Sequence, residues 1–110
     1  MKNKKIKKIF GETNRPRISV FRSNREIYAQ IIDDFYGKTL TCSSSIDKEF
    51  IKKKYKKKTK VELSYEVGKL LGVRAEKLKI KKLVFDKGKY LYHGRIKSLA
   101  DGIREYSIKL

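Results

Sequence analysis

Ile18 and Val20 alternate with Ser19 and Phe21, a pattern that predicts a strand covered on both faces. Ser23-Asn24-Arg25-Glu26 supplies turn chemistry, because short polar side chains bond their own backbone. Tyr28 to Ile32 then reads as a second strand, with Tyr28, Gln30 and Ile32 on one face and Ala29 and Ile31 on the other. Asp33-Asp34 with Gly37-Lys38 marks the next turn, and the threonine-rich run from Thr39 to Ser43 predicts a third strand. Three short strands joined by short turns make an antiparallel meander.

After the lysine-dense stretch Lys52–Lys60 the period changes. Thr59 and Glu62 stand at capping-box spacing, the threonine accepting a helical N–H while the glutamate reaches back. Val61, Tyr65, Gly68, Leu71, Ala75 and Leu78 recur at three and four and predict one apolar helical face. Gly68 and Gly72 weaken intrinsic helicity, so their expected use is close approach to the sheet. Lys82 to Phe85 follows as a short apolar strand. Strand, helix and strand together imply a right-handed crossover and a parallel pair. Ile96, Leu99, Ala100, Ile103 and Tyr106 predict a second amphipathic helix running almost to the C-terminus. The predicted class is therefore α/β: a mixed sheet of three antiparallel strands plus one parallel strand, with two packed helices. At 110 residues this is one domain, with no internal repeat.

Charge changes the picture more than composition does. Thirty Lys and Arg face twelve Asp and Glu, a net +18 at pH 7. The excess is segregated: residues 1–25, 48–60 and 81–97, half of the chain, hold a net +20, and the other half −2. A phosphate-binding surface needs such asymmetry, since each phosphate neutralised releases condensed counterions. Solvated lysine faces are the plainer alternative. Lys2–Lys8, uncapped and with little apolar surface, predicts a disordered basic arm that orders on its partner. Lys52–Lys60, with Tyr55 inside it, reads as a charged loop that either touches a nucleic-acid backbone or simply solubilises. No apolar run approaches the roughly 18–20 residues that span a bilayer. Met1–Phe10, with five lysines, lacks the apolar stretch of a secretory signal. The expectation is a soluble, intracellular chain with a polyanionic partner and no membrane.

Candidate chemistry is concentrated before the second helix. Asp86-Lys87-Gly88-Lys89-Tyr90-Leu91-Tyr92-His93-Gly94-Arg95 interleaves cations, aromatics and glycines. Such a loop can contact phosphates, stack on unpaired bases and let the backbone come close. The helix start beyond it offers unpaired N–H groups and a partial positive charge. Its tyrosines can equally pack on the sheet. The single cysteine, Cys42, and the single histidine, His93, exclude an internal disulfide and any familiar zinc cluster, and neither has an evident catalytic partner. Asp33, Asp34 and Asp86, at strand ends, are the acids that could converge on divalent ions for phosphodiester cleavage. Against that, Asp33-Asp34 opens a turn, Asp86 stands beside Lys87, and no helical acid completes a cage. No catalytic, metal-binding or cofactor-binding residue is expected, and no cofactor. Two binding readings remain: an RNA-specific protein, or a compactor of RNA or DNA without a defined site.

Arg15-Pro16-Arg17-Ile18-Ser19-Val20-Phe21-Arg22-Ser23-Asn24, followed by Ile27-Tyr28-Ala29-Gln30-Ile31-Ile32-Asp33-Asp34, resembles the N-terminal half of the bacterial-type L-eighteen family of large-subunit ribosomal proteins. Val84-Phe85-Asp86-Lys87-Gly88, continuing through Tyr90, Tyr92-His93-Gly94-Arg95 and Lys97 to Leu99-Ala100-Asp101, is similar to that family's C-terminal signature. Two separated motifs in the right order are far more specific than one short pattern. The resemblance implies a structural ribosomal protein that binds 5S rRNA and helps attach it to 23S rRNA in the central protuberance, beside neighbouring large-subunit ribosomal proteins. It implies a ribonuclease-H-like sheet without nuclease activity, with a basic arm over residues 1–14 and a single rRNA-binding domain over residues 15–110.

On the matched positions, the resemblance implies an RNA face of Arg15, Arg17, Arg22, Ser23 and Asn24, with Tyr28 nearby. Lys87, Lys89, Tyr90, Tyr92, His93, Gly94 and Arg95 would form a second contact loop, continued by Lys97. The arm lysines Lys4, Lys5, Lys7 and Lys8 would run along RNA outside the folded body. Where the family usually has Arg-Gly-Gly, this chain has Lys87-Gly88-Lys89, which keeps charge but loses a bidentate fork. Lysine outnumbers arginine 23 to 7, as an AT-rich genome favours; a bacterial cytoplasm is expected, with a plastid as the alternative.

Overall fold

The computed structural model describes residues 9–24, 26–46, 59–88, 90, 92–106 and 108–110. The expectations for Lys2–Lys8, for Lys89 and for most of the Lys52–Lys60 loop lie outside the described residues. The elements run β1 (Arg17–Arg22), β2 (Ile27–Asp33), β3 (Lys38–Ser44), α1 (Lys60–Lys77), β4 (Val84–Asp86) and α2 (Arg95–Ile103). The sheet order is β3-β2-β1-β4, with β1–β2 and β2–β3 antiparallel and β4 parallel to β1. The meander is as predicted. The parallel partner of β4 is β1, so α1 carries the chain from one sheet edge to the other.

Local chemistry explains the turns. Between β1 and β2 the Ser23 N–H donates to the Glu26 carbonyl at 2.9 Å, and the Glu26 N–H donates to Ser23 Oγ at 3.3 Å. Between β2 and β3, Asp33 Oδ1 accepts from the N–H groups of Phe35 and Tyr36, and Gly37 takes φ +64°. At the start of α1 both halves of the capping box are made: Glu62 N–H to Thr59 Oγ1 at 3.1 Å, and Thr59 N–H to Glu62 Oε1 at 2.9 Å.

Burial departs from the periodicity in three places. β1 is covered on one face only: Ile18 and Val20 are buried while Phe21 points into solvent, because both helices lie on the same side of the sheet. The α1 face is rotated relative to the predicted one. Ser64, Val67, Gly68, Leu71, Gly72 and Ala75 are buried, whereas Val61 and Leu78, at the helix ends, stay exposed. The small residues Ser64, Gly68 and Gly72 lead inward because α1 crosses α2 at close range. A Cβ on Gly68 would run into the Leu99 backbone, one on Gly102 into the Tyr65 carbonyl, and one on Gly72 into the Tyr106 ring. The glycines thus serve helix–helix contact, not approach to the sheet. Finally, α2 stops at Ile103, and the tail returns so that Lys109 bridges to Lys82 and Ile108 joins the core. That core sits between sheet and helices, from Ile18, Ile27, Ala29 and Ile31 to Val67, Leu71, Leu83, Ile96, Leu99 and Ile103. Burying each of its Ile, Leu and Val side chains, at about 1.5–3 kcal/mol apiece, stabilises a chain whose charges repel one another.

Candidate nucleic-acid interface

The β1–β2 turn and the loop before α2 are about seventy residues apart in sequence and meet at one end of the sheet. Tyr90 is the fastener. Its hydroxyl accepts from the Arg22 N–H at 3.2 Å and donates to the Arg22 carbonyl at 3.3 Å, while the Arg22 guanidinium lies 4.9 Å from the ring centroid. Arg95, first residue of α2, donates from Nη1 to the Ser23 carbonyl at 2.7 Å. Its Nε is buried with no hydrogen-bond partner among the described residues. Burial pushes the Arg95 pKa down, and the charge of Arg22 adds to the effect. Two guanidiniums therefore stand close enough to repel, a tension that an incoming phosphate would relieve.

The remaining loop residues divide by role. Tyr92 packs edge-to-face on Phe85 at 6.0 Å, and Arg104 donates to its hydroxyl at 2.6 Å. That hydrogen bond, with the surroundings, raises the Arg104 pKa. The alternative of tyrosines packing on the body therefore describes how Tyr90 and Tyr92 hold this loop. Lys87 and His93 are exposed beside them. Gly94 takes φ +57°, where a side chain would be strained, and it precedes a first helical turn with no side-chain cap and no acid. Lys97 is exposed and paired with Asp101 at 3.0 Å, an exposed i,i+4 pair worth little. Asn24 is exposed in the β1–β2 turn, and Tyr28 is partly exposed on the open sheet face, its pKa raised by the neighbouring Cys42 thiol.

The other end of β1 is built differently. Arg17 donates from Nε to Asp34 Oδ2 at 2.8 Å, from Nη2 to Asp34 Oδ1 at 3.0 Å, and from Nη1 to Asp86 Oδ2 at 3.3 Å. Hydrogen bonding to Asp34 raises the Arg17 pKa, and the same bond with the Gly11 N–H lowers Asp34 to about 2. The convergence of strand-end acids that a nuclease needs is present, but a guanidinium fills it. Asp33 is buried separately in its turn, and among the described residues no group of three or more His, Cys, Asp or Glu is placed to hold a metal. Arg17 is thus committed within the fold, while Arg15 is exposed beside it, its backbone paired with Glu12. Lys4, Lys5, Lys7, Lys8 and Lys89 lie outside the described residues. The residue that sequence reasoning passed over is Phe21, 64% exposed; the break in alternation at Phe21-Arg22 was the available signal.

A mixed sheet backed by two helices, with paired cations at one end and no acid cluster left open among the described residues, defines a polyanion-binding scaffold. The comparisons make this specific. The family model described as ribosomal L18 of archaea, bacteria, mitochondria and chloroplasts matches residues 2–110. The large ribosomal subunit protein uL18 of Thermotoga petrophila is 54% identical over 103 residues, covering 94% of this chain and 84% of that protein. The uL18 of Aster yellows phytoplasma is 50% identical over 105 residues, covering 94% and 92%. That of Kosmotoga olearia is 51% identical over 102 residues, covering 93% and 83%. The chain belongs to this ribosomal L18 family. The family is structural and non-enzymatic, so the chain is a ribosomal protein that works among rRNA and other ribosomal proteins in translation. Relatives this similar are bacterial, and its ribosome is that of a bacterial cytoplasm. Among the described residues no helix is long and apolar enough to cross a membrane.

Proposed function

We propose that this protein binds 5S rRNA within the large ribosomal subunit and helps attach it to 23S rRNA in the central protuberance, beside other ribosomal proteins. One observation carries the reading. The two family motifs converge where Arg22 and Ser23 of the first meet Tyr90 and Arg95 of the second. Affinity comes from Lys and Arg by counterion release, which is nearly blind to sequence. Selectivity comes from the fixed spacing of the two guanidiniums and from contacts to RNA shape, 2′-hydroxyls and unpaired bases. Arg22, Ser23, Asn24, Lys87, Tyr90, His93, Gly94 and Arg95 form the contact region on this reading. Arg15, Lys97, Lys89 and the arm lysines add phosphate contacts around it, and Tyr92 and Arg17 hold the surface in shape.

Competition binding at physiological salt tests the reading. Labelled 5S rRNA should resist displacement by tRNA and by duplex DNA of matched charge. Equal displacement by all three would identify a nucleic-acid compactor instead.

A further inference from the structure

β1 and β2 are the two inner strands of the sheet, and α1 and α2 cover only one of its faces. On the other face Phe21 stands in register opposite Tyr28. Their rings are 64% and 38% exposed, in mid-sheet rather than at an edge. The next row on that face is Ser19, Gln30 and Cys42, which leaves a shallow polar floor beside the two rings. Ser19 pairs with Asp86 of β4, so two residues on, Phe21 runs level with Gly88. A Cβ added at Gly88 would meet nothing within 4 Å, so the ground beside the platform is open. The pair contributes little to the core, and neither helix shields it.

Charge decides what covers it. Arg22 follows Phe21 directly and is stacked on Tyr90, with Arg95 held on the adjoining turn and Lys87 exposed beyond β4. Asp86, the acid in the neighbouring row, is already occupied by Arg17 and the Gly88 N–H. A planar apolar platform beside unneutralised guanidiniums complements a ligand that is flat and aromatic in one part and anionic in the next. An unpaired nucleotide has that composition, and aromatic side chains stack on any base because every base offers a π face.

We infer that Phe21, backed by Tyr28, is a stacking platform for an unpaired rRNA base whose neighbouring phosphates lie along the Arg22–Arg95 edge. This deepens the 5S rRNA reading and rests on it.

The test uses the full chain and 5S rRNA. Phe21→Ala should weaken binding about 5- to 150-fold. The slope of log K against log salt should stay unchanged, because no phosphate contact is lost. Phe21→Trp should retain affinity, and Phe21→Leu, apolar without a π face, should fall with alanine. An unpaired base shielded from dimethyl sulfate by the native chain should become reactive with Phe21→Ala. An unchanged melting midpoint for the alanine variant would show that the fold is intact. Native affinity in Phe21→Ala, or in Phe21→Leu, would overturn the inference. A Phe21→Ala chain that binds 5S rRNA normally but is lost from large subunits would show that the pair faces a protein, which overturns it too. A native chain that binds 5S rRNA no better than tRNA would overturn the parent reading and this inference with it; native selectivity with an inert Phe21→Ala overturns this inference alone.

Discussion

Replacing Asp34 by Asn keeps the shape of the side chain and removes its charge. The carboxylate accepts two hydrogen bonds from Arg17, at 2.8 and 3.0 Å, and one from the Gly11 N–H at 2.6 Å. The Arg17 and Asp34 side chains are only 19% and 20% exposed. Lowering a carboxyl from 3.8 to about 2 corresponds to about 2.5 kcal/mol of stability. Solvent reaches one side of the pair, and screening reduces that to about 1–2 kcal/mol. Asp34→Asn should therefore lower the melting midpoint at pH 7 by about 4–12 °C for a domain of this size. The pH dependence fixes the cause. Because the folded pKa lies below the unfolded one, the contribution is complete above the ordinary carboxylate range and drains away as pH falls from about 5 to about 2. Thermal melts followed by circular dichroism from pH 7 to pH 2 should show the native protein and the Asp34→Asn variant converging at the acid end. Arg17→Met in both backgrounds should give a coupling energy of about 1–2 kcal/mol. A gap between the two proteins that stays constant down to pH 2, or no gap at pH 7, would refute the ion-pair account.

Other consequences follow from the interface and from the helix crossing. Arg95→Ala should weaken 5S rRNA binding by about 1–3 kcal/mol in a filter or fluorescence titration, and native affinity would remove the directional role given to that guanidinium. With about six to eight phosphates engaged, log K should fall with log salt at a slope of about −4 to −7. Deleting residues 1–9 should lower affinity and flatten that slope while leaving the melt cooperative; loss of cooperative melting would make the arm part of the fold. Gly68→Ala places a methyl against the Leu99 backbone, so it should cost about 2–4 kcal/mol in urea unfolding. Near-native stability would show that the two helices separate easily.

Much of this protein was decided by the chain itself. The order of strands and helices follows from local pattern, since alternation, Asx turns and the Thr59–Glu62 box are encoded within a few neighbouring residues. The segregated charge and the two family motifs are equally local in origin, and they carry the class of function. Contacts between distant segments decided the rest. Periodicity placed Gly68 and Gly72 on an inward face, but only the crossing of α1 and α2 shows what they approach. Arg17 and Arg22 look alike in the sequence. In the fold, Arg17 closes on Asp34 and Asp86, while Arg22 stacks on Tyr90 beside Arg95 at the opposite end of the same strand. A side chain's charge is written in its own codon, but its availability depends on which acid or aromatic ring the topology brings within about 4–6 Å of it.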